Sequence, residues 1–311
     1  MVPMSAPESH ASAEIRRQPE CWTRAIDLAP GLRGVLPEPG ERVAVIGCGT
    51  SWFMASAYAA LREECGAGET DAFAASRFPA HRPYDRVLAI SRSGTTSEVL
   101  RALRAAHAPT VAITAVPGSP IADAAGAAIV LDFADERSVV QTVFATTALM
   151  LLRGVLRQDL DTPLDVVVEQ AAAVLRGEFE PAATTGEADQ ITFLGDGWAY
   201  GVALEAALKL REAAGLWTES YPQLEYRHGP IAIAAPHRTV WILGRPAAGI
   251  VADIAATGAA LVCAAQSGPD LDPVADLVRV QLLAVARAEA LGLDPDRPRH
   301  LTRSVVLDGT P

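Results

Sequence analysis

Aromatic residues are scarce in this chain, at 5% of its 311 residues. Its core therefore has to come mostly from Ala, Val, Leu and Ile, which suits helices packed closely on sheets of β-branched strands. No apolar run reaches the ~20 residues of a bilayer span, so no membrane partner is expected. The opening "MVPMSAPESH" lacks the basic-then-apolar pattern of a secretory leader. The four cysteines, Cys21, Cys48, Cys65 and Cys263, have no CxxC spacing and suggest no disulfide framework. A cytoplasmic protein is the simplest expectation. An excess of basic charge is also missing: the net charge is -11. That argues against nucleic acid, whose phosphate backbone calls for a basic surface. It does not exclude one phosphate held by backbone N–H groups and hydroxyls at a helix N-terminus. The histidines, His10, His81, His107, His228, His237 and His300, show no ligand spacing, so neither a metal nor another cofactor is expected.

What is present is a loose repeat. "RVAVIGCGTSWFMASAYAALREE" (42 to 64) can be laid on "ITFLGDGWAYGVALEAALKLREA" (191 to 213). Each copy has an apolar run of strand type, then Gly-x-Gly, then an alanine-rich helix ending in Arg-Glu. Gly47 and Gly49 correspond to Gly195 and Gly197. "RVLAIS" (86 to 91) is a second strand, and "PTVAITAVPGSPIADAAGAAIVL" reads as strand, loop, short helix, strand. In the second copy "TVWILG" (239 to 244) and "AALVCAA" (259 to 265) are the later strands. Strands alternating with helices at this spacing predict an α/β chain of two similar three-layer α/β/α halves, each a mostly parallel sheet flanked by helices. One helix of roughly 25 residues, from Val139 to Arg157 or on through Val174, is expected to join the halves by its apolar periodicity. The stretch 181 to 189, "PAATTGEAD", reads as a linker. "SGPDLDPVADLVRVQLLAVARAEALG" gives a last helix, and the tail "LDPDRPRHLTRSVVLDGTP" is too rich in Pro and Asp to continue it.

Two turns carry chemistry. In "SRSGTTSEVL", Ser91, Ser93, Thr95 and Thr96 crowd around Gly94 between a strand and a helix. Such a turn offers hydroxyls and free N–H groups to an anion, and a phosphate suits it well. An ordinary N-cap has the same composition. "GCGTSW" (47 to 52) is a second such turn, with Thr50 and Ser51 at its mouth; it lacks the third glycine of a dinucleotide fingerprint. Two hydroxyl-rich turns at adjacent strand ends lie where open α/β sheets bind ligands.

The helix in "LEAALKLREAAGLWTESYPQLEYRHGP" (204 to 230) sets Glu205, Lys209 and Glu212 on one stripe, through spacings of four and three. A surface salt bridge worth about 0.2–0.5 kcal/mol accounts for such a pair. So does a base beside a charge-stabilising group, because removing a hydrogen next to a sugar carbonyl needs a positioned carboxylate and stabilisation of the enediolate. His228 is either a surface histidine or a proton-transfer group. Glu205 and Glu225 can orient Lys209 or cap a helix.

In this order the motifs resemble the sugar isomerase (SIS) family, especially the isomerase half of glucosamine-6-phosphate synthase and the amino-sugar-phosphate deaminase/isomerases. The resemblance runs from about Glu14. "EIRRQP" is similar to the start of that isomerase region, and "CGTS" and "SRSGTTSE" to its phosphate turns. "ALEAALKLRE" and "EYRHGP" resemble its catalytic helix and histidine loop, and "DPDRPRHLTRSV" its tail. The resemblance implies the SIS fold with flavodoxin-like strand order. It implies an N-terminal helical segment (1–34), a first SIS domain with the linking helix (35–180), a second SIS domain (190–293), and a tail over the active site (294–311). Thr50, Ser51, Ser91, Ser93 and Thr96 would bind the sugar phosphate. Gly49, Arg92, Glu205 and Arg303 would make further substrate contacts. Glu212 would move the proton between C1 and C2, supported by Lys209, and His228 would assist ring opening from the neighbouring subunit of a homodimer.

Three departures bear on the reaction. No glutaminase region precedes these motifs and no cysteine follows Met1, so glutamine-dependent amination is not expected. Arg303 stands where the synthase has a lysine, and arginine, always protonated, forms no imine. Arg92 replaces the synthase's glutamine, as in the deaminase/isomerase branch, and would set a cation beside the sugar. The expected activity is Glu-mediated, metal-independent proton removal at C2 of a hexosamine 6-phosphate, giving aldose–ketose isomerisation with or without deamination. Two alternatives stay open. One is expulsion of the C3 hydroxyl from an N-acetylhexosamine 6-phosphate such as N-acetylglucosamine 6-phosphate. The other is a non-catalytic sugar-phosphate sensor, although the first 40 residues show no DNA-binding domain.

Overall fold

The structure, a computed structural model, describes residues 8–156, 160–179, 187–264 and 270–307. Two short helices, α1 (His10–Arg16) and α2 (Gln18–Leu28), precede the first sheet. Its strands are β1 (Val43–Gly47), β2 (Thr70–Ala74), β3 (Arg86–Ile90), β4 (Thr110–Thr114) and β5 (Ala127–Val130). They pair in parallel in the order β2-β1-β3-β4-β5. The intervening helices are α3 (Thr50–Glu64), α4 (Ser97–Ala105) and α5 (Pro120–Ala124). After α6 (Val143–Val155) and α7 (Leu164–Leu175) comes a second parallel sheet, β6 (Gln190–Gly195), β7 (Trp217–Pro222), β8 (Arg238–Ile242) and β9 (Ala260–Cys263). Its order, β7-β6-β8-β9, repeats that of the first sheet. Its helices are α8 (Ala199–Ala214), α9 (Ile250–Thr257) and α10 (Pro273–Ala290). This is the α/β arrangement expected from the alternation of apolar runs and helical stretches.

Strand alternation decides which layer each side chain joins. Val43 and Val45 of β1, Leu88 and Ile90 of β3, and Ile191 and Phe193 of β6 all enter one central core with α2, α3, α6, α7, α8 and α10. The alternate residues Ala44, Ile46, Val87 and Ala89 pack outward against α4 and α5. Leu194, Val240 and Ile242 do the same against α9. The layers therefore run helix, sheet, shared helices, sheet, helix. Small residues let the shared helices approach closely: a Cβ on Gly201 of α8 would lie 2.5 Å from the backbone nitrogen of Ala57 on α3. Gly47 and Gly195 hold equivalent places, each so near the first turn of its helix that a Cβ would meet backbone at 2.6 and 2.3 Å. Buried Arg153 of α6 makes a two-pronged bond to Asp272, at 2.9 and 2.7 Å, and so ties α6 to the start of α10.

Several expectations need correction. The single joining helix is two helices. The carboxylate of Glu136 accepts from the backbone nitrogens of Thr142, Val143 and Phe144, which starts α6 at Val143 rather than Val139. α7 begins only after Pro163, the residue flanking its first turn. The last helix starts at Pro273, where the Asp272 side chain accepts from the Val274 nitrogen. β2, β7 and α9 were not foreseen. Most of the expected linker, residues 181–186 of 181–189, lies outside the described residues. No helix among the described residues is long and apolar enough to cross a membrane.

Candidate active site

Both hydroxyl-rich turns sit at the carboxyl ends of β1 and β3, the strands between which the connections of the first sheet change direction. Gly49 takes a positive φ of 53°, and the chain enters α3 directly at Thr50 and Ser51, both buried. In the neighbouring turn the Ser91 and Thr96 hydroxyls lie 3.5 Å apart. The Ser93 hydroxyl accepts from both the nitrogen and the hydroxyl of Thr95. Gly94, at φ 67°, has no room for a Cβ, which would fall 2.2 Å from the Ser119 hydroxyl. The turn is pinned on its far side as well, where Ala115 N–H and the Thr114 hydroxyl donate to Arg92 O and Ile121 N–H donates to Gly94 O.

The charged stripe of α8 faces this corner. Lys209 is buried, and its ammonium donates to Glu212 Oε2 at 2.7 Å, Gln141 O at 2.9 Å and Thr50 Oγ1 at 3.2 Å. Glu205 Oε1 lies 3.2 Å from the same nitrogen. Glu205 is fully enclosed, and burial pushes its carboxyl up to about 7, against the pull of the Lys209 charge and with a push from Glu212. Burial works to lower the Lys209 ammonium, but the Glu205 and Glu212 charges outweigh it and hold it above its ordinary value. Glu212 keeps part of its side chain open, at 19% exposure, against 1% for Lys209. The stripe is therefore a partly open carboxylate backed by a buried ammonium, favoured in its charged form by its two carboxylate neighbours, that also touches the first turn. The surface salt-bridge account is excluded by this burial.

The other expected residues are placed differently. Arg92 is buried and engaged by main-chain carbonyls. It is 2% exposed, donates to Ser138 O, Val139 O and Arg303 O, and lies 3.8 Å from Glu136. Burial lowers its guanidinium, with Glu136 compensating. Arg303 bonds Glu136 O and the Asp135 carboxylate, so its guanidinium is already engaged within the chain. His228 is exposed at the end of the turn Glu225–His228, and none of the hydrogen bonds of Lys209 or Glu212 reaches it. Glu225, in the same turn, is exposed too and does not orient Lys209.

One feature had no local signal, and another was implied by the family resemblance alone. The Gln141 carbonyl that receives Lys209 belongs to an irregular stretch before α6, which carries no motif of its own. The tail crosses the second turn. The Ser304 and Thr95 hydroxyls are 2.7 Å apart, Ser97 N–H donates to Val305 O, and Leu307 N–H donates to the Ser97 hydroxyl. The second half offers no equivalent anion turn. There the Trp198 N–H, at the start of α8, donates to Glu64 Oε1 at 3.0 Å, so an internal carboxylate fills the place. Among the described residues no group of His, Cys, Asp and Glu could hold a metal ion.

Comparison with known proteins bears on the family and the fold. Residues 38–156 match the SIS domain. The chain is 30% identical to a glutamine–fructose-6-phosphate aminotransferase (isomerizing) of Methanothermobacter thermautotrophicus, with 95% of this chain and 57% of the relative covered. It is 28% identical to the enzyme of that name from Gloeobacter violaceus, covering 89% of this chain and 54% of the relative. The chain thus spans about half the length of these relatives. Among solved structures, glucosamine-6-phosphate deaminase from Thermotoga maritima superposes with a TM-score of 0.81 at 25% identity, covering 96% of this chain and 100% of the other. Tagatose-6-phosphate ketose/aldose isomerase from Escherichia coli shares the fold, with a TM-score of 0.79 at 19% identity over 96% of this chain and 98% of the other.

Proposed function

Starting from a chain that carries an SIS domain and has the SIS fold throughout its two sheets, we propose that it is a phosphosugar enzyme acting on a hexosamine 6-phosphate. The observation that supports this reading is the bonding of Lys209 to both Glu212 and Thr50, which sets a partly open carboxylate beside a hydroxyl-rich turn. The phosphate is held by Thr50, Ser51, Ser91, Ser93 and Thr96 at the starts of α3 and α4. With C6 anchored there, Glu212 removes the proton at C2. The Lys209 ammonium stabilises the oxygen that gains charge, an interaction worth most in a site closed to water. Arg92 and Arg303 support the walls of the site rather than touching the sugar. His228 comes from a second copy in a homodimer and serves ring opening, since within one subunit it is exposed at the end of its turn.

Once the C2 proton is gone, reprotonation at C1 gives the ketose. A free amine at C2 leads through its imine to release of ammonia, and an N-acetylated amine leaves expulsion of the C3 hydroxyl as the open path. The names of the relatives, an isomerizing aminotransferase and a glucosamine-6-phosphate deaminase, support the first two.

The test is incubation in deuterated water with 6-phosphates of glucosamine, galactosamine, N-acetylglucosamine and fructose. Exchange of the C2 hydrogen is expected with at least one hexosamine. In Glu212→Gln it should fall by about 10²–10⁴-fold, the usual contribution of a positioned acid–base group. Mass change separates isomerisation from loss of ammonia or water. Undiminished turnover in Glu212→Gln overturns the assignment. Tight binding with no exchange from any sugar leaves a sensor.

A further inference from the structure

Beside Glu212 lies a cavity of about 750 Å³, bounded by the last turn of α8 and the chain after α10. None of its lining residues belongs to either hydroxyl-rich turn. With the phosphate end of the sugar at those turns, the cavity adjoins the opposite end, beyond C1 and C2. Its wall carries Arg211, Arg297, Arg299 and His300. Arg211 is occupied, donating to the carbonyl and hydroxyl oxygens of Thr218. Arg297, Arg299 and His300 are exposed, and their side chains form no hydrogen bond or ion pair among the described residues. The carboxylates on the same wall are engaged elsewhere: Glu212 accepts from Lys209, and Asp294 accepts from the backbone nitrogen of Asp296. His300 sits at φ 64°, a left-handed conformation that costs a non-glycine residue free energy. In a chain of net charge -11, an unpaired basic group of this kind beside the reacting end of the substrate calls for an anion.

Resting on the proposed function, we propose that Arg297, Arg299 and His300 form a second anion-recognition point. The preferred substrate is then a hexosamine 6-phosphate that carries a carboxylate on a substituent at its C1–C2 end. The sugar is gripped at both ends, by hydroxyls and N–H groups at C6 and by guanidinium groups beyond the base. Guanidinium suits that task because its planar fork meets a carboxylate in two places.

The experiment uses two ligands of nearly equal shape, N-butanoylglucosamine 6-phosphate and N-succinylglucosamine 6-phosphate, which differ in a terminal methyl or carboxylate. Their affinities are measured by calorimetry on the native chain and on the Arg297→Gln, Arg299→Gln double variant. Both substitutions are at exposed positions, and circular dichroism and thermal unfolding check that the fold is kept. The succinyl compound should bind about tenfold more tightly, the scale of one charge-assisted hydrogen bond. That advantage should shrink as salt is raised. In the double variant it should disappear, with the affinity for the butanoyl compound unchanged. Equal affinities on the native chain overturn the inference, because the cations are then solvated or met by a carboxylate of a second subunit, while the phosphosugar reading stands. A preference that survives in the double variant also overturns it, by assigning the charge effect to Lys209. If neither ligand nor glucosamine 6-phosphate binds, the phosphosugar reading itself has failed and the inference falls with it.

Discussion

Lys209 and Thr50 stand 159 positions apart in the chain, and their side chains meet at 3.2 Å. One belongs to the helix that follows the second sheet's first strand, the other to the turn that follows the first sheet's first strand. The candidate site is thus built across the repeat, with the hydroxyl-rich turns from one copy and the charged stripe from the other. The two copies have diverged accordingly. The first keeps an open hydroxyl turn, and the second closes its own turn with Glu64.

The buried ammonium holds two carboxylates together, and removing it should cost both fold and chemistry. Lys209→Met leaves Glu205 and Glu212 without their common partner, and breaking a buried pair in this way costs about 3–5 kcal/mol. Urea unfolding should show that loss. A Glu205→Gln, Lys209→Met double variant should recover part of the stability and none of the turnover. Equal stability of Lys209→Met and the native chain contradicts this account.

Substitutions in the turns should act on binding. Ser91→Ala or Thr50→Val removes one hydroxyl, so KM for a sugar phosphate should rise about tenfold with a smaller change in kcat, as for an interaction made equally in ground and transition states. Gly94→Ala should do more, because its Cβ collides with Ser119 and its φ is left-handed. Loss of measurable phosphosugar binding in a folded protein is the expected outcome. A Gly94→Ala variant with native KM removes this turn from the site.

The pH dependence of stability has a definite sign at Glu205. Its carboxyl is raised to about 7 in the folded chain, against about 4.3 in an unfolded one. The folded state therefore holds an extra proton between those values. The stabilisation that goes with it is complete below about pH 4.3 and is lost as pH climbs through about 7. Denaturant titrations of native and Glu205→Gln proteins should diverge across that window, the variant gaining relative stability as pH rises. A difference that stays constant from pH 4.5 to 7.5 rules the shift out.

Donation of His228 across a dimer can be tested by mixing. Glu212→Gln and His228→Ala proteins should each be inactive. Refolded together at equal amounts, half the symmetric dimers become hybrids with one intact site. About a quarter of the native activity should return. No recovery from a mixture that sedimentation shows to be dimeric places His228 in its own subunit's site or outside the chemistry.

Much of this architecture is legible in the chain, and the parts that are not share physical causes. Central strands such as β1 and β3 are continuous apolar runs ended by glycine or serine turns, so they stand out. Both unforeseen strands, β2 and β7, are edges of their sheets. Thr70–Ala74 and Trp217–Pro222 are only partly buried and carry polar residues that blur the alternation. The start of α6 was obscured because Glu136, six to eight residues before the nitrogens it caps, does the work of a local cap. Pro163 did mark the break before α7, but the apolar periodicity on either side masked it. At the site, the three charges on one face of α8 followed from spacing alone. The inward turn of Arg92 did not, because its partners Ser138 and Val139 lie in a segment without regular structure.

The close fit of Gly201 against the main chain at Ala57 has a bearing on how substrates are told apart. α3 begins at the hydroxyl-rich turn and α8 carries Glu212, so the interval between these two groups is set where Gly201 packs on the main chain of Ala57 with no room for a side chain. On the proposed function, that fixed interval would act as a gauge for the span from phosphate to reacting carbon. Exchanging residues around the ligand can retune which groups hang from that span, but accepting a shorter or longer sugar requires one helix to slide along the other.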